Sequence, residues 1–351
     1  MKNILKTPSK TSTRISSPPA CLFSTCRQYY HGKKSTHFDG KYFFDPENSI
    51  KTGLFDFLKW QLNKKSIKWP KKIPVIKFDT PPLKVLGNDI RVTNIGHVTF
   101  LIQTQGINIL TDPVWSERAS PVPFLGPKRV MDPGIKFEDL PPIDVVWISH
   151  NHYDHLDIHT IKRLWDAHHP RIITPLGNET IVHTSYKDIV VEAYDWGDAV
   201  TITPDVSMHL SPMQHWSARG IFDRNKALWA AMTFETTGGN IYFIGDSGYG
   251  NGRYFKRDKE KFGKYRLALL PMGAYEPRWF MKYAHMNPDD MVKAYVDLGR
   301  PYTIPSHYDV FKLTDEGRGD APLQLSASMT KWNEGQNIKL MQVGEAWHVP
   351  A

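Results

Sequence analysis

The chain reads Ser149-His150-Asn151-His152-Tyr153-Asp154-His155-Leu156-Asp157 directly after the apolar run 145–148, so three histidines and one aspartate fall within six residues. A strand that ends in His-x-His and continues through Asp-His into a helix can direct two imidazoles at one metal ion. The carboxylate and the third imidazole can then reach a second ion beside the first. A lone histidine is more often a core or surface residue, but this density of ligands predicts a two-metal hydrolase.

Composition agrees with a folded protein. The 351 residues suffice for one large domain or two small ones, and 40% hydrophobic with 12% aromatic residues is typical of globular chains. Both cysteines, Cys21 and Cys26, lie far in sequence from every candidate ligand, so neither a disulfide framework nor a thiolate zinc site is predicted. Histidine and aspartate ligands favour Zn²⁺, with Fe or Mn as alternatives.

The net charge of +8 is concentrated near the N-terminus: residues 1–80 hold 16 Lys and Arg against 5 Asp and Glu, which leaves 28 against 31 for the rest. This distribution argues against a basic nucleic-acid surface over the body of the protein. Membrane phosphates, an import receptor or plain solubility each explain a basic N-terminal region, and we expect an intracellular protein that does not bind nucleic acid.

Residues 1–38 contain no Asp or Glu and seven Lys or Arg among many Ser, Thr and Pro, which predicts a disordered basic tail. The same composition resembles an organellar presequence, whereas the apolar core of a secretory signal is missing. The chain contains no run of 18 apolar residues, so it is not expected to span a membrane.

Residues 39–82 form an N-terminal segment in which 54–62 predicts a short helix, apolar over much of its circumference and followed by several lysines. Two interpretations remain open. The helix could pack on the following domain or a subunit interface. Alternatively, Phe55, Phe57, Leu58 and Trp60 could enter a bilayer interface while the lysines meet lipid phosphates.

Residues 83–351 are expected to form the catalytic domain. Strand patterns joined by turn signals come first, and alternating strand and helix patterns follow in each half, which predicts an α/β fold of two packed sheets with helices outside. Asp157 is expected to cap a helix that runs to about His168. The Pro- and Gly-rich stretch 116–142 has little periodicity and is interpreted as a long loop beside the site.

Three further residues extend the metal-binding set. His215, Asp246 and His307 each follow an apolar strand pattern at the point where the chain turns into a loop. Strand ends hold ligands accurately because the scaffold behind them is rigid. Each residue alone has an ordinary structural explanation, but together with 150–155 they predict one shared centre.

This ordered set resembles the motifs of the metallo-β-lactamase superfamily over roughly residues 87–349. The resemblance implies an αββα sandwich, in which two mixed sheets carry helices on their outer faces and the metals lie at the edge between the sheets. It also implies two zinc ions per chain and a role for each of eight residues: His150, His152 and His215 hold one ion, Asp154, His155 and His307 hold the other, Asp246 bridges them, and Asp112 supports the ligand loop without binding metal.

A narrower resemblance, to the N-acylphosphatidylethanolamine-hydrolysing phospholipase D family, rests on three blocks. They are 150–157, 212–216 (Pro-Met-Gln-His-Trp) and 271–283 (Pro-Met-Gly-Ala-Tyr-Glu-Pro-Arg-Trp-Phe-Met-Lys-Tyr). The family activity releases N-acylethanolamine and leaves phosphatidic acid, so membrane phospholipid is the expected partner at a membrane surface. The resemblance also suggests a homodimer.

The same resemblance assigns Asp154, Asp246 and His285 to catalysis. Tyr153 and His285 are expected to contact the phosphodiester, with His285 as an imidazolium that offsets growing charge or protonates the leaving alkoxide. Arg278 is a further candidate phosphate partner, or a buried structural residue.

One departure lies beside the last ligand, where Tyr308-Asp309-Val310-Phe311 replaces the aromatic-Gly-Thr-Phe usual in the family. Two other functions remain open. The first is a hydrolase of the same fold that acts on a soluble phosphodiester or a sugar-phosphate lactone. The second is a non-catalytic, metal-binding protein that docks on membranes.

Overall fold

A computed structural model of the chain describes residues 28–47, 52–65 and 67–351. Of the expected tail 1–38, residues 1–27 therefore lie outside the described residues. The remainder packs on the domain: Tyr29 and Phe38 are buried, and the Tyr29 hydroxyl donates to the Asp223 carboxylate at 2.7 Å. Contacts with the domain thus begin before residue 38, where composition placed the boundary.

Two sheets and seven α-helices are present in the described part of the chain. The strands are β1 (Ile90–Gly96), β2 (Thr99–Thr104), β3 (Ile107–Thr111), β4 (Val145–Trp147), β5 (Arg171–Pro175), β6 (Val191–Tyr194), β7 (Ala199–Thr203), β8 (Val206–Ser211), β9 (Ala231–Thr236), β10 (Asn240–Phe243), β11 (Tyr265–Pro271), β12 (Tyr302–Ser306) and β13 (Ala346–Val349). The helices are α1 (Leu54–Leu62), α2 (Ile158–His168), α3 (Asn178–Ser185), α4 (Arg253–Phe262), α5 (Arg278–Met281), α6 (Pro288–Asp297) and α7 (Asp320–Trp332), and Phe137–Asp139 forms a 3-10 turn.

Both sheets are mixed. The first has the order β13-β1-β2-β3-β4-β5-β6, antiparallel from β13 to β3 and parallel from β3 to β6. The second has the order β12-β11-β10-β9-β8-β7, with its first three strands parallel and the rest antiparallel. In the first sheet β13, the last strand in sequence, pairs with β1, the first, and Val349 lies opposite Ile90.

Three apolar layers hold the sandwich together. Between the sheets, Phe100 and Trp147 of the first meet Phe234 and Phe243 of the second. The outer face of the first sheet packs on α2 and α3, and the outer face of the second packs on α4, α6 and α7. The αββα architecture expected from the sequence is therefore confirmed.

Helix α2 begins where the ligand-rich segment ends. As expected, Asp157 caps it: the carboxylate accepts from the backbone N–H groups of His159 and Thr160, which would otherwise lack partners at the first turn. The helix ends at His169, whose backbone is left-handed with φ 47°. Capping fixes the direction in which the chain leaves residues 150–155.

Helix α1 has the bounds predicted from the sequence, and its two faces differ. Trp60 is buried; its indole N–H donates to Asp315 at 3.0 Å and its ring stacks on Phe280 with centroids 5.5 Å apart. Of the two interpretations left open, packing on the domain applies to Trp60, because this ring anchors the helix to α5 and does not reach a bilayer. On the other face Phe55 is 87% exposed and Leu62 is 86% exposed. Within the described residues no helix is both long and apolar enough to cross a membrane.

Candidate metal centre

The predicted ligands lie beyond strand ends that meet at one edge of the sandwich. His150 follows β4, His215 follows β8, Asp246 follows β10 and His307 follows β12 directly. Carboxyl ends of parallel strands share an edge, which brings residues distant in sequence together. All predicted ligands are buried except His152, which is partly exposed.

The first ligand group consists of His150, His152 and His215. Nδ1 of His152 lies 2.9 Å from Nε2 of His150 and 3.3 Å from Nε2 of His215. Nitrogen atoms bound to one tetrahedral zinc ion lie about 3.3 Å apart. The ring of His215 is oriented by its other nitrogen, because Nδ1–H donates to the Ala284 carbonyl at 3.0 Å and leaves Nε2 free for a cation.

The second ligand group consists of Asp154, His155 and His307. Oδ2 of Asp154 lies 3.2 Å from Nε2 of His307 and 3.6 Å from Nε2 of His155. Oδ2 of Asp246 lies 3.2 Å from His155 Nε2, 3.1 Å from His307 Nε2 and 3.9 Å from His215 Nε2. Asp246 therefore stands between the two groups, in the position of a bridging ligand.

Unsatisfied buried atoms show that this donor set fits cations. Nε2 of His155 and Oδ1 of Asp246 are buried and accept or donate no hydrogen bond within the described residues. Buried polar atoms are nearly always paired, because leaving one unpaired costs about 1–3 kcal/mol. Two divalent cations held by these residues would satisfy the site. The chain is therefore equipped to bind divalent metal.

Asp112 lies behind the ligands, in the supporting position that the family resemblance implies. Its Oδ1 accepts from the Ser149 backbone N–H at 2.7 Å, and its Oδ2 accepts from the Ser149 hydroxyl at 2.6 Å and from His155 Nδ1 at 2.7 Å. Because Nδ1 of His155 is occupied, Nε2 faces the centre. Ser149 was not singled out in the sequence, although it begins the ligand segment.

Burial and charge set the protonation of the ligands in opposite directions. Burial lowers the pKa of His152 to about 3 and that of His150 and His215 well below the ordinary value. For His307, burial lowers the pKa, but the charge of Asp246 and the contact with Asp154 outweigh it and raise the pKa to about 9. The first group is therefore neutral and ready to ligate, whereas the second holds protons when metal is absent.

Metal binding at pH 7.5 is accordingly expected to release protons. His307 ligates only when neutral, so a cation must displace the proton held below a pKa of about 9. For every proton released on binding, the apparent affinity for metal falls about tenfold when the pH is lowered by one unit. The number of protons released is measured by calorimetric titration of the metal-free protein with Zn²⁺ in buffers that differ in their heat of ionisation. Binding with no buffer dependence would contradict the assignment.

His97 is a neighbour of the second group that sequence reasoning missed. It lies in the turn between β1 and β2, and its Nε2 is 2.9 Å from Oδ2 of Asp154. The histidine is fully buried, and burial, followed by the charge of His307, lowers its pKa to about 4. The available signal was weak: one histidine after a glycine at a strand end, far in sequence from the ligand-rich segment.

His285 lies over the centre, beside both groups. Its Nδ1 is 3.7 Å from Oδ2 of Asp246, and its ring centroid is 5.3 Å from that of His215 and 5.6 Å from that of His307. Burial lowers the pKa of His285, the negative charge of Asp246 raises it, and the effect of burial is larger, so the pKa falls to about 4. The imidazolium expected from the sequence is therefore wrong at neutral pH, because a buried ring beside other imidazoles is neutral.

Arg278 is engaged within the protein. Its guanidinium donates to Asp290 at 2.6 Å and to the His285 carbonyl at 2.9 Å. Of the two roles open for Arg278, this arrangement favours the structural one, in which it holds the backbone of His285.

Tyr153 lies beside the centre with its ring under Arg219, whose guanidinium carbon is 3.8 Å from the ring centroid. The ring also packs against a small apolar cluster that contains Ala119, Val310 and Phe311. Ala119 belongs to the stretch 116–142, so this long loop lies beside the site, as expected from the sequence.

A pocket opens beside His307 and contains the departure from the family pattern. Its wall includes Trp69, Tyr308, Asp309 and Phe311. Asp309 adopts φ 60°, a conformation natural for the glycine usual in the family, and its carboxylate accepts from the Gly319 backbone N–H at 2.8 Å. The aspartate thus ties this wall to the start of α7.

Comparison with known proteins agrees with the fold. The sequence model of the β-lactamase superfamily domain matches residues 107–308, more than half of the chain. Among solved structures, Igni18, a metallo hydrolase of the archaeon Ignicoccus hospitalis, superimposes with a TM-score of 0.55 at 20% identity, covering 75% of this chain and 99% of that one. The protein is a member of the metallo-β-lactamase superfamily and a metal-dependent hydrolase.

Two relatives narrow the family. N-acyl-phosphatidylethanolamine-hydrolyzing phospholipase D 1 of Caenorhabditis elegans is 33% identical over 296 residues, which cover 78% of this chain and 82% of that protein. The mitochondrial protein of that name in Saccharomyces cerevisiae is 35% identical over 215 residues, which cover 60% of this chain and 46% of the yeast protein. This chain belongs to the N-acylphosphatidylethanolamine-hydrolysing phospholipase D family, which confirms the resemblance recognised in the sequence.

Proposed function

We propose that this chain is a zinc-dependent phosphodiesterase that hydrolyses N-acylphosphatidylethanolamine to N-acylethanolamine and phosphatidic acid. The observation that supports this most directly is the pair of ligand groups joined by Asp246, with His285 beside both. The names of the two relatives supply the lipid. The donor set of histidine and aspartate favours zinc.

The two ligand groups would each hold one ion. His150, His152 and His215 provide three neutral nitrogens, and the second group adds a carboxylate. Two divalent cations bound here would supply Lewis acidity toward a phosphoryl oxygen and would lower the pKa of a water molecule. Asp246 stays anionic, because the charges of His307 and His155 outweigh burial and hold its pKa well below the usual range.

The neutral ring of His285 supplies a hydrogen-bond donor rather than a positive charge. An N–H of this ring can donate to a phosphoryl oxygen as its charge grows, or to the departing ethanolamine oxygen. The oxygen of a water molecule bonds to phosphorus as that water gives up one proton, the bond from phosphorus to the ethanolamine oxygen breaks, and the ethanolamine oxygen takes up one proton in exchange. In this scheme Arg278 positions His285 through its backbone carbonyl.

A lipid substrate requires contact with a membrane surface, and α1 provides a suitable one. Phe55 and Leu62 are largely exposed, and Leu58 is 47% exposed. Lys59 and Lys64 belong to the same helix and the turn after it. Apolar side chains flanked by lysines are typical of helices that lie in the interface of anionic membranes.

The decisive experiment measures products. Zinc-loaded full-length protein is incubated with N-acylphosphatidylethanolamine in mixed micelles, and lipids are identified by mass spectrometry. We expect N-acylethanolamine and phosphatidic acid in equal amounts. Protein that cleaves a water-soluble phosphodiester or a lactone readily while leaving this lipid intact would refute the proposal and favour the soluble-substrate alternative.

Removing the apolar face of α1 is expected to weaken membrane binding without changing the site. The double variant Phe55→Ser and Leu62→Ser removes two exposed side chains, each worth about 1.5–3 kcal/mol when fully buried in an apolar phase. Sedimentation with vesicles containing anionic lipid should show at least about tenfold weaker binding. The matched control is Val190→Ser and Leu323→Ser, which removes two exposed side chains elsewhere. Equal binding by both double variants would contradict this role of α1.

A further inference from the structure

His97 occupies an unusual backbone position beside the second ligand group. Its φ is 60°, in the left-handed region that residues other than glycine rarely adopt, and Gly96 before it has φ 126°. The pairing of β1 with β2 shifts register between Asn94 and Gly96, immediately before the turn. Strained conformations persist where surrounding contacts hold them, and such positions often mark function.

The backbone of His97 contacts one ligand of the second group. The N–H of His307 donates to the His97 carbonyl at 2.9 Å, and the two ring centroids are 4.2 Å apart. His307 itself has φ 65°. Two left-handed residues therefore support each other where β12 ends, and the position of the His307 ring depends on the turn that contains His97.

The side chain of His97 contacts another ligand of the same group. Its Nε2 lies 2.9 Å from Oδ2 of Asp154, the oxygen that also faces Nε2 of His307. An ionised carboxylate only accepts hydrogen bonds, so the proton belongs on Nε2 of His97. Phe311 packs edge-on against the ring with centroids 5.1 Å apart, which fixes its plane.

We propose that His97 is a positioning residue of the second ligand group, holding the Asp154 carboxylate with its Nε2–H and the His307 backbone with its carbonyl. It does not bind the metal itself, because the nitrogen that faces the centre donates its proton to Asp154. A hydrogen bond to a ligating carboxylate fixes the orientation of the ligand, and its loss typically weakens metal binding about 10–100-fold.

This role makes the two metal positions unequal. His97 contacts Asp154 and His307 of the second group, and its ring lies tilted beside that of His155, with centroids 6.0 Å apart. The first group is held by other contacts, such as that of His215 with the Ala284 carbonyl. Loss of the His97 donor should therefore affect the second metal position and spare the first.

A pair of variants of similar size isolates the hydrogen bond. His97→Gln keeps an N–H donor, whereas His97→Met fills similar space without one. The metal-free full-length proteins are titrated with Co²⁺, following the visible absorption of the bound ion and the number of ions retained after dialysis. We expect His97→Met to bind the second ion about 10–100-fold more weakly and the first unchanged, with His97→Gln recovering most of the loss.

Several outcomes would overturn the inference. Equal affinity of His97→Met and the unaltered protein for both ions would show that the hydrogen bond does not position Asp154. Equal loss in His97→Gln and His97→Met, or a Co²⁺ spectrum of lower ligand number in saturated His97→Gln, would show that His97 is itself a ligand. Unchanged binding of the first ion serves as the control for folding.

This role of His97 rests on the proposed function, because it assumes that the site binds metal. Its test is independent of the lipid substrate. The titration contains no substrate, so protein that binds two Co²⁺ ions and leaves the lipid uncleaved refutes the proposed reaction alone. Unaltered protein that binds no Co²⁺ would refute both.

Discussion

Asp246→Asn should lower the rate of phosphodiester hydrolysis by at least about 10³-fold and reduce metal content from two ions per chain toward one. Asp246 is the carboxylate that lies within 4 Å of ligand atoms in both groups. An amide of the same shape removes the negative charge that would offset the cations of the proposed centre. The substitution also removes the main cause of the raised pKa of His307.

Metal analysis and activity are measured on the same preparation. Asp258→Asn is a matched control, because Asp258 is another buried aspartate, hydrogen-bonded by Tyr242, and burial raises its pKa to about 6. We expect the control to keep both ions and most of the activity. Full metal content together with near-normal turnover in Asp246→Asn would remove Asp246 from the centre.

His285→Ala should reduce turnover about 10²–10⁴-fold while leaving the metal content nearly unchanged. The ring lies beside Asp246, His215 and His307 but, unlike the ligands, is not clamped at hydrogen-bond distance from them. Its buried Nδ1 has no hydrogen-bond partner in the described part of the chain, which leaves it available to a substrate oxygen. Loss of the ring removes this donor without removing a ligand.

Steady-state kinetics on micelles and metal analysis separate the two roles. His209→Ala, which removes a histidine paired with Glu235 outside both ligand groups, is the control and should retain full turnover. Should His285→Ala lose metal as severely as activity, His285 would be a ligand. Turnover within threefold of the unaltered protein would exclude it from catalysis.

The grouping of the candidate ligands could be predicted from the sequence because they combine a dense local motif with strand ends. The spacing within residues 150–155 is itself a signal, and the strand patterns of β8, β10 and β12 indicate where His215, Asp246 and His307 leave the sheet. Such signals are local, so one sequence suffices to find them. The sandwich followed from the same alternation of strands and helices.

Helix α7 and strand β13 are among the elements that were not predicted, for physical reasons. Helix α7 contains Pro322, and its buried side chains are few and small, with Leu325 the largest, so it lacks a wide apolar stripe. Strand β13 has only four residues, and most are partly exposed at the edge of the sheet. Both depend on packing against distant parts of the chain rather than on their own pattern.

The contacts that support the metal centre could not be predicted from the sequence either. His97 reaches Asp154 across 57 positions of sequence by means of a register shift and two left-handed residues, none of which a hydrophobic pattern reveals. The protonation state of His285 depends on burial, which is a property of the assembled site. Sequence patterns indicate the candidate ligands, but only the folded structure shows which other residues contact them.

The pairing of β13 with β1 in the first sheet decides which part of the chain can fold alone. The region that matches the superfamily model, residues 107–308, begins at β3 and omits β1, β2 and β13. In the whole chain β3 pairs with β2, with Ile109 opposite Ile102. Excised at those limits, β3 would present an unpaired apolar edge, which is a template for aggregation. The smallest unit expected to fold alone is therefore the complete sandwich, from before residue 90 to residue 349.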